Sequence, residues 1–252
     1  MNYKLIALDM DETLLNHKKE ITPENKTAIS QALDKGIKVV LTSGRSHDGM
    51  AYCAEELGIK GPDQYMITNG GDTIETTTGD LIFKKTLENR ACQQISAFLE
   101  SQKIKFILID TTGATYDSYQ EWLEKRMLQP ELEVVKVLMH IKKHHFEKVA
   151  QLVHQTYDRD FFVVKTGAEY LEIFPKDINK GTAVRRLAKH LKIDMQQVIA
   201  MGDMDNDIPM IKLAGMGVAM ENAEPEVKDV SNFITKDCNH SGVGYAIEKF
   251  AL

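Results

Sequence analysis

"LIALDMDETLL", residues 5–15, decides the fold. Four apolar residues, Leu5 to Leu8, run into Asp9, and Asp11 and Glu12 follow at once. A short unbroken apolar run reads as a strand buried on both faces, as in a parallel sheet covered by helices. Carboxylates at the end of such a strand have two readings. They form either a polar exit from the sheet or a cage for a hard cation and a phosphate.

Working outward, Thr22-Pro23-Glu24 opens a helix: Thr22 as N-cap, Pro23 at the first helical position and an acid in the first turn. Ile29, Ala32 and Leu33 give that helix an apolar face, and Gly36 stops it. "IKVVLTSGR" (37–45) is a second strand, followed by a helix at 46–57 and Gly58. "QYMITNGG" (64–71) is a third strand and a turn. This β-α-β-α-β rhythm predicts a doubly wound α/β sheet. It returns late in the chain. "KGTAVRRLAKHL" (180–191) is a helix, "QVIAMGD" (197–203) a strand, "DIPMIKLAG" (207–215) a helix and 215–220 a strand, before a helix at 223–230 and a strand near 232–235.

The middle breaks the rhythm. Residues 89–102 read as a helix, 104–110 and 114–118 as a hairpin, 134–141 as a strand, and 144–157 as a helix. Strands at 160–166 and 169–174 pair across Thr166-Gly167-Ala168. The expected organisation is an α/β core over 1–83 and 176–252 with an α+β insert at 84–175.

Composition bounds the function. The 252 residues are 43% hydrophobic and 27% charged, the balance of a soluble globular protein. The net charge of -6 argues against a nonspecific hold on nucleic acid, which needs a positive face. No apolar run approaches a membrane span, and the N-terminal apolar stretch is too short for a signal peptide. Cys53, Cys92 and Cys238 are odd in number and widely spaced, which suits reduced thiols and a cytoplasmic location.

Four polar groups fall at strand ends or a helix start. They are Asp9-Met10-Asp11-Glu12-Thr13, Thr42-Ser43-Gly44-Arg45, Lys180, and Gly202-Asp203-Met204-Asp205-Asn206-Asp207. In an open α/β sheet, ligands bind beyond the carboxyl ends of the strands, and this topology brings all four groups to that edge. Asp9, Asp11 and Asp203 offer oxygen ligands without a neighbouring His or Cys, a set suited to Mg²⁺. A carboxylate nucleophile splits phosphate hydrolysis into two steps through an aspartyl-phosphate. Mg²⁺ and a lysine ammonium neutralise the phosphate charge, while Ser43 and the Gly44 N–H donate to its oxygens. A second carboxylate must protonate the leaving oxygen and then activate water, and Asp11 is the natural candidate.

The sequence resembles the haloacid dehalogenase-like (HAD) hydrolase superfamily, in its Cof-type phosphatase branch with a C2B cap. The first motif of that family, D-x-D-x-T, is matched by Asp9, Asp11 and Thr13. The second is matched by Ser43-Gly44-Arg45, the third by Lys180-Gly181-Thr182-Ala183, and the fourth, G-D-x-x-N-D, by Gly202, Asp203, Asn206 and Asp207. The stretches at 68–71, 217–228 and 241–247 are also similar to that branch. The resemblance implies a Rossmann-like core, with the insert as a substrate-selecting cap. It implies Asp9 as nucleophile and Asp11 as general acid/base. Mg²⁺ would be held by Asp9, the Asp11 carbonyl and Asp203, with Asp207 in support. Met10 through its backbone, Ser43, Gly44, Lys180 and Asn206 would contact phosphate. The implied reaction is Mg²⁺-dependent hydrolysis of a small phosphorylated metabolite, a sugar phosphate or phosphorylated cofactor. A phosphomutase and a non-catalytic phospholigand-binding protein are the alternatives. Glu12 stands where the family often has Gly, which costs backbone freedom and adds charge.

Other groups read as structure. His140, His144 and His145 lie among lysines, as on a solvated basic face, rather than as a metal pair. Trp122 either packs a helix of the insert or lines its inner surface. Cys53, with Met50 and Leu57 at helical offsets, reads as a buried thiol. Gly-Asp-Met-Asp-Asn-Asp lacks the Gly and terminal Glu of an EF-hand calcium loop.

Overall fold

A computed structural model describes residues 3–252. The chain opens with β1 (Leu5–Asp9), α1 (Pro23–Asp34), β2 (Lys38–Thr42), α2 (His47–Glu56), β3 (Tyr65–Thr68), β4 (Thr73–Thr76) and β5 (Leu81–Lys84). It continues through α3 (Asn89–Ser101), β6 (Phe106–Asp110), β7 (Thr115–Tyr116), α4 (Tyr119–Leu128), β8 (Val134–His140), α5 (Phe146–Tyr157), β9 (Phe161–Gly167) and β10 (Tyr170–Pro175). The last third holds α6 (Lys180–His190), β11 (Val198–Gly202), α7 (Ile208–Leu213), β12 (Met216–Ala219), α8 (Pro225–Val230), β13 (Phe233–Ile234) and α9 (Gly242–Phe250). Two compact units result: residues 1–83 with 179–252, and residues 84–178.

The first unit is an α/β sheet in the order β13-β12-β11-β1-β2-β3-β4-β5. The pairs from β13 through to β3 are parallel, and β4 turns back antiparallel to β3. All five residues of β1 are buried, as its unbroken apolar run requires. The chain winds outward from β1 through β2 to β3. It returns on the other side through β11, so β1 and β11 flank the point where strand order reverses. That crevice is where open α/β sheets bind ligands. Thr22 caps α1 by accepting from the Asn25 N–H (3.4 Å), with Pro23 first in the helix.

The structure adds β4, β5 and α9 to the sequence reading. The third strand does not end the first half: Asn69-Gly70-Gly71 turns the chain back and β4 and β5 widen the sheet. Their run, "TIET" and "LIFK", is short and partly exposed, so periodicity gives it little weight. The C-terminal α9 packs its Val243, Ala246 and Ile247 into the core against α1, and its glycines mask it as a loop.

The second unit has its own sheet, β7-β6-β8-β10-β9, whose neighbours all run antiparallel. Its core joins Cys92, Ile95 and Leu99 of α3 with Trp122, Val137, Val153 and Ile173. Trp122 is buried with Arg126 over its ring, so it packs the helix rather than lining a surface. His140 stacks on Tyr170 and meets Glu169, while His144 and His145 lie in the following turn. Lys136 and Glu172 form a buried ion pair within this sheet, Nζ to Oε1 2.8 Å.

Candidate active site

Three strand ends converge in the first unit. Asp9 closes β1 and lies in register with Thr42, the last residue of β2, so Ser43 leaves the sheet beside it. Leu8 pairs with Met201 on the other side, and β11 ends at Gly202 just before Asp203. Lys180 opens α6 behind a capping box. The Asn179 side chain accepts from the Thr182 N–H (2.8 Å), and Thr182 Oγ1 accepts from the Asn179 N–H (3.2 Å).

Close approach of backbone fixes these groups. A Cβ on Gly181 would lie 2.4 Å from the Pro209 carbonyl group, so only glycine lets α6 reach α7 here. A Cβ on Gly202 would lie 2.4 Å from the Asp207 side chain. The two glycines therefore set how near Lys180 and Asp207 come to the end of β11.

The ammonium of Lys180, 2% exposed, donates to both Asp9 and Asp207, the latter at 2.6 Å. Asp207 Oδ2 also accepts from the N–H groups of Asp203 (3.0 Å) and Met204 (3.1 Å). Thr13 Oγ1 donates to Asp203 Oδ1 at 2.8 Å. Carboxylate oxygens of Asp9, Asp203 and Asp207 lie within 4.8 Å of one another, and all three residues are buried. Three buried carboxylates around one ammonium leave two negative charges unmatched when all are ionised. The deficit appears in the proton affinities. Burial, and then Asp207, push Asp9 up to about 7 against the pull of Lys180. Burial, and then Asp9 and Asp207, push Asp203 up to about 9. Burial alone would lower Lys180, but Asp207 and Asp9 raise it, so it stays charged. An all-oxygen set short by two positive charges fits a hard divalent cation such as Mg²⁺. Asp9 and Asp203 suit it as direct ligands. Asp207, with both oxygens engaged by Lys180 and backbone N–H groups, suits support from behind.

Asp11 stands apart from this cluster. Its carboxylate takes a two-pronged bond from Arg45, Nη2 to Oδ1 2.7 Å and Nε to Oδ2 3.0 Å, and a third from Lys19 Nζ at 3.0 Å. Burial raises it, but the Arg45 and Lys19 hydrogen bonds outweigh that and hold it below the usual carboxylate range. Ser43 is buried; its Oγ accepts from the Arg45 N–H (3.3 Å), and its carbonyl accepts from Gly70. Gly44 lies between them. Met10 is buried, its carbonyl accepting from Leu15 (2.8 Å) in the turn after β1. Asn206 Oδ1 is buried without a hydrogen-bond partner among the described residues.

The sequence reading left Arg45, Lys19 and Thr13 without roles. Arg45 follows Ser43-Gly44 and carries charge out of a strand end, which is a readable signal. The Thr13 bond spans 190 positions, and local pattern does not show it. Glu12 proves to sit at φ 61, in the left-handed region that favours glycine.

A family model described as haloacid dehalogenase-like hydrolase matches residues 6–247. The chain is 30% identical to the 5-amino-6-(5-phospho-D-ribitylamino)uracil phosphatase YcsE of Bacillus subtilis (strain 168), covering all of this chain and 97% of that protein. It is 28% identical to phosphatase YwpJ of the same organism, over 97% of this chain and 99% of that one. A solved haloacid dehalogenase-like hydrolase from B. subtilis superposes with a TM-score of 0.84 at 27% identity, covering 98% of this chain and 99% of its own.

Proposed function

Because this chain belongs to the haloacid dehalogenase-like hydrolases, an enzyme of the phosphatase kind, we propose that it hydrolyses a small organic phosphate monoester with Mg²⁺ through an aspartyl-phosphate. The observation that carries the reading is the buried Lys180 ammonium bridging Asp9 and Asp207, with Asp203 beside them, at the switch point of the sheet.

Asp9 is the nucleophile. Its carboxylate attacks phosphorus, the bond to the leaving oxygen breaks, and the phosphoryl group rests on Asp9. Lys180 fixes that carboxylate and offsets charge on the transferring group. Ser43, the N–H groups of Met10 and Gly44, and the Asn206 amide are the donors for the phosphate oxygens. Asp9, Asp203 and the Asp11 carbonyl, with Asp207 in support, would hold Mg²⁺, which would neutralise charge on the phosphoryl group. Asp11 gives a proton to the leaving oxygen and later takes one from the water that cleaves the aspartyl-phosphate. Its pair with Arg45 and Lys19 keeps it ionised, the state needed by the base of the second step. Protonating the leaving oxygen in the first step requires that pair to open.

The core groups address only the phosphate, so we assign the choice of its organic part to the insert at 84–175. Sugar phosphates, phosphorylated cofactors and the ribitylaminouracil phosphate named for YcsE are the panel to test. Three free, buried cysteines fit a reducing cytoplasm, and no helix among the described residues is long and apolar enough to cross a membrane.

The deciding experiment follows inorganic phosphate release from an aryl phosphate, with and without Mg²⁺, for the native chain and Asp9→Asn. The native chain is expected to turn over only with Mg²⁺, and Asp9→Asn to lose roughly three orders of magnitude or more. Full turnover by a contaminant-free Asp9→Asn would overturn the nucleophile. Isomerisation of a sugar phosphate without phosphate release would favour a mutase.

A further inference from the structure

We propose that Glu12, His17 and Cys238 form a second cation site, selective for a borderline-soft divalent ion of the Zn²⁺ type, built into the turn that follows Asp11. Glu12 Oε2 lies 2.9 Å from His17 Nε2 and 3.8 Å from Cys238 Sγ, and the three ligand atoms all fall within 4.8 Å of one another. Tetrahedral bonds of about 2.0–2.3 Å from zinc to nitrogen, oxygen and sulfur put ligand atoms about 3.3–3.7 Å apart, so the set closes on an ion with shifts of well under an ångström for most pairs. Cys238 is buried, while His17 and Glu12 are open enough to admit an ion from solvent.

The three ligands come from distant parts of the chain, and two asparagines hold them together. Asn222 Nδ2 donates to the Glu12 carbonyl (2.8 Å), while its Oδ1 accepts from the Cys238 N–H (2.9 Å). Asn239 Oδ1 accepts from the His17 N–H (3.2 Å), and its Nδ2 lies 3.1 Å from His17 Nδ1. Outer contacts of this kind orient metal ligands. With Nε2 on an ion, His17 Nδ1 carries the hydrogen. The Asn239 amide then turns over to accept it, giving up its bond to the His17 N–H. Lys19 Nζ lies 3.8 Å from the other Glu12 oxygen but 3.0 Å from Asp11, which takes its charge.

The donor chemistry separates the two sites. One sulfur, one nitrogen and one carboxylate favour Zn²⁺ over Mg²⁺, whereas the Asp9, Asp203 and Asp207 set offers only oxygen. Binding releases the Cys238 thiol proton to solvent, and the fourth position is left to water. Because Glu12 directly follows Asp11, an ion here ties the acid/base loop to the 238 segment.

The test uses the full chain in excess Mg²⁺ with Co²⁺ as the probe, read by the near-ultraviolet thiolate-to-Co²⁺ charge-transfer band. One equivalent of Co²⁺ is expected to raise the band, and Zn²⁺ to abolish it by displacement. Cys238→Ser is expected to lose the band, and His17→Ala, at an exposed position, to lose it at equimolar Co²⁺ while unfolding at an unchanged temperature. Absence of the band in the native chain would overturn the site. So would a band of equal intensity in His17→Ala, or one that survives in folded Cys238→Ser and therefore belongs to Cys53 or Cys92.

Discussion

At the scale of single residues, the site is a charge problem left open. Asp9 and Asp203 have folded-state proton affinities far above the ordinary carboxylate value, about 7 and about 9 against 3.8. A carboxyl group raised in this way binds more protons in the folded state than in the unfolded one. Stability is then full below about pH 4 and is lost as pH rises toward those values. The metal-free protein is therefore expected to melt at a lower temperature at pH 8.5 than at pH 6. Mg²⁺ is expected to raise the melting temperature more at pH 8.5. Equal Mg²⁺ shifts at both values, in thermal unfolding followed by circular dichroism, would contradict the charge deficit. Asp11 runs the other way. Arg45→Ala removes the strongest of its donors, so its proton affinity rises and the alkaline limb of the kcat/KM profile, which reports the acid of the first step, is expected to move to higher pH. The identities of these residues were readable from strand ends. Their state was not, because it depends on burial and on which ammonium or guanidinium each one meets.

At the scale of elements, glycines and buried pairs carry the geometry. Alanine is the better helix former, worth about 1 kcal/mol over glycine inside a helix. At Gly181 that gain meets a Cβ driven to 2.4 Å from the Pro209 backbone, and overpacking of this kind costs about 1–3 kcal/mol. Gly181→Ala is thus expected to lower stability in denaturant titration and to weaken the Mg²⁺-induced stabilisation, since it moves Lys180 away from Asp207. In the insert, Glu172→Ala takes the ion-pair carboxylate from the buried Lys136 ammonium and is expected to lower stability, by about 3 kcal/mol. Replacing both partners by apolar residues, Lys136→Met with Glu172→Leu, is expected to restore most of it. A double-mutant cycle measures the difference. The hairpins and long helices of the insert were legible from turns and periodicity. Lys136 and Glu172 were not, because two charges in strands read as solvent-facing until their partner is known. The strands β4 and β5 escaped for a related reason, each being only four residues long and so too short for periodicity to outweigh a loop.

At the scale of the molecule, the chain is two cores made from three stretches of sequence. The insert leaves and rejoins the first unit through neighbouring segments, with Lys85 and Asp177 forming an ion pair at 4.0 Å. A segment with adjacent ends and its own core behaves as a folding unit. Residues 84–178 expressed alone are expected to unfold in one cooperative thermal transition; a gradual loss of signal would show that the insert depends on the rest of the chain. The doubly wound core was legible because β1, β2 and β11 each announce themselves locally. What no local pattern shows is how late the centre of that sheet closes. β1 takes β11 as its parallel neighbour, and the Thr13–Asp203 bond across that gap joins residues 190 positions apart. During synthesis one side of β1, apolar from Leu5 to Leu8, therefore waits unpaired until the last third of the chain emerges. An insert that collapses first shortens the effective loop. Closure of the carboxylate cluster, which needs that late strand, is therefore expected late in folding.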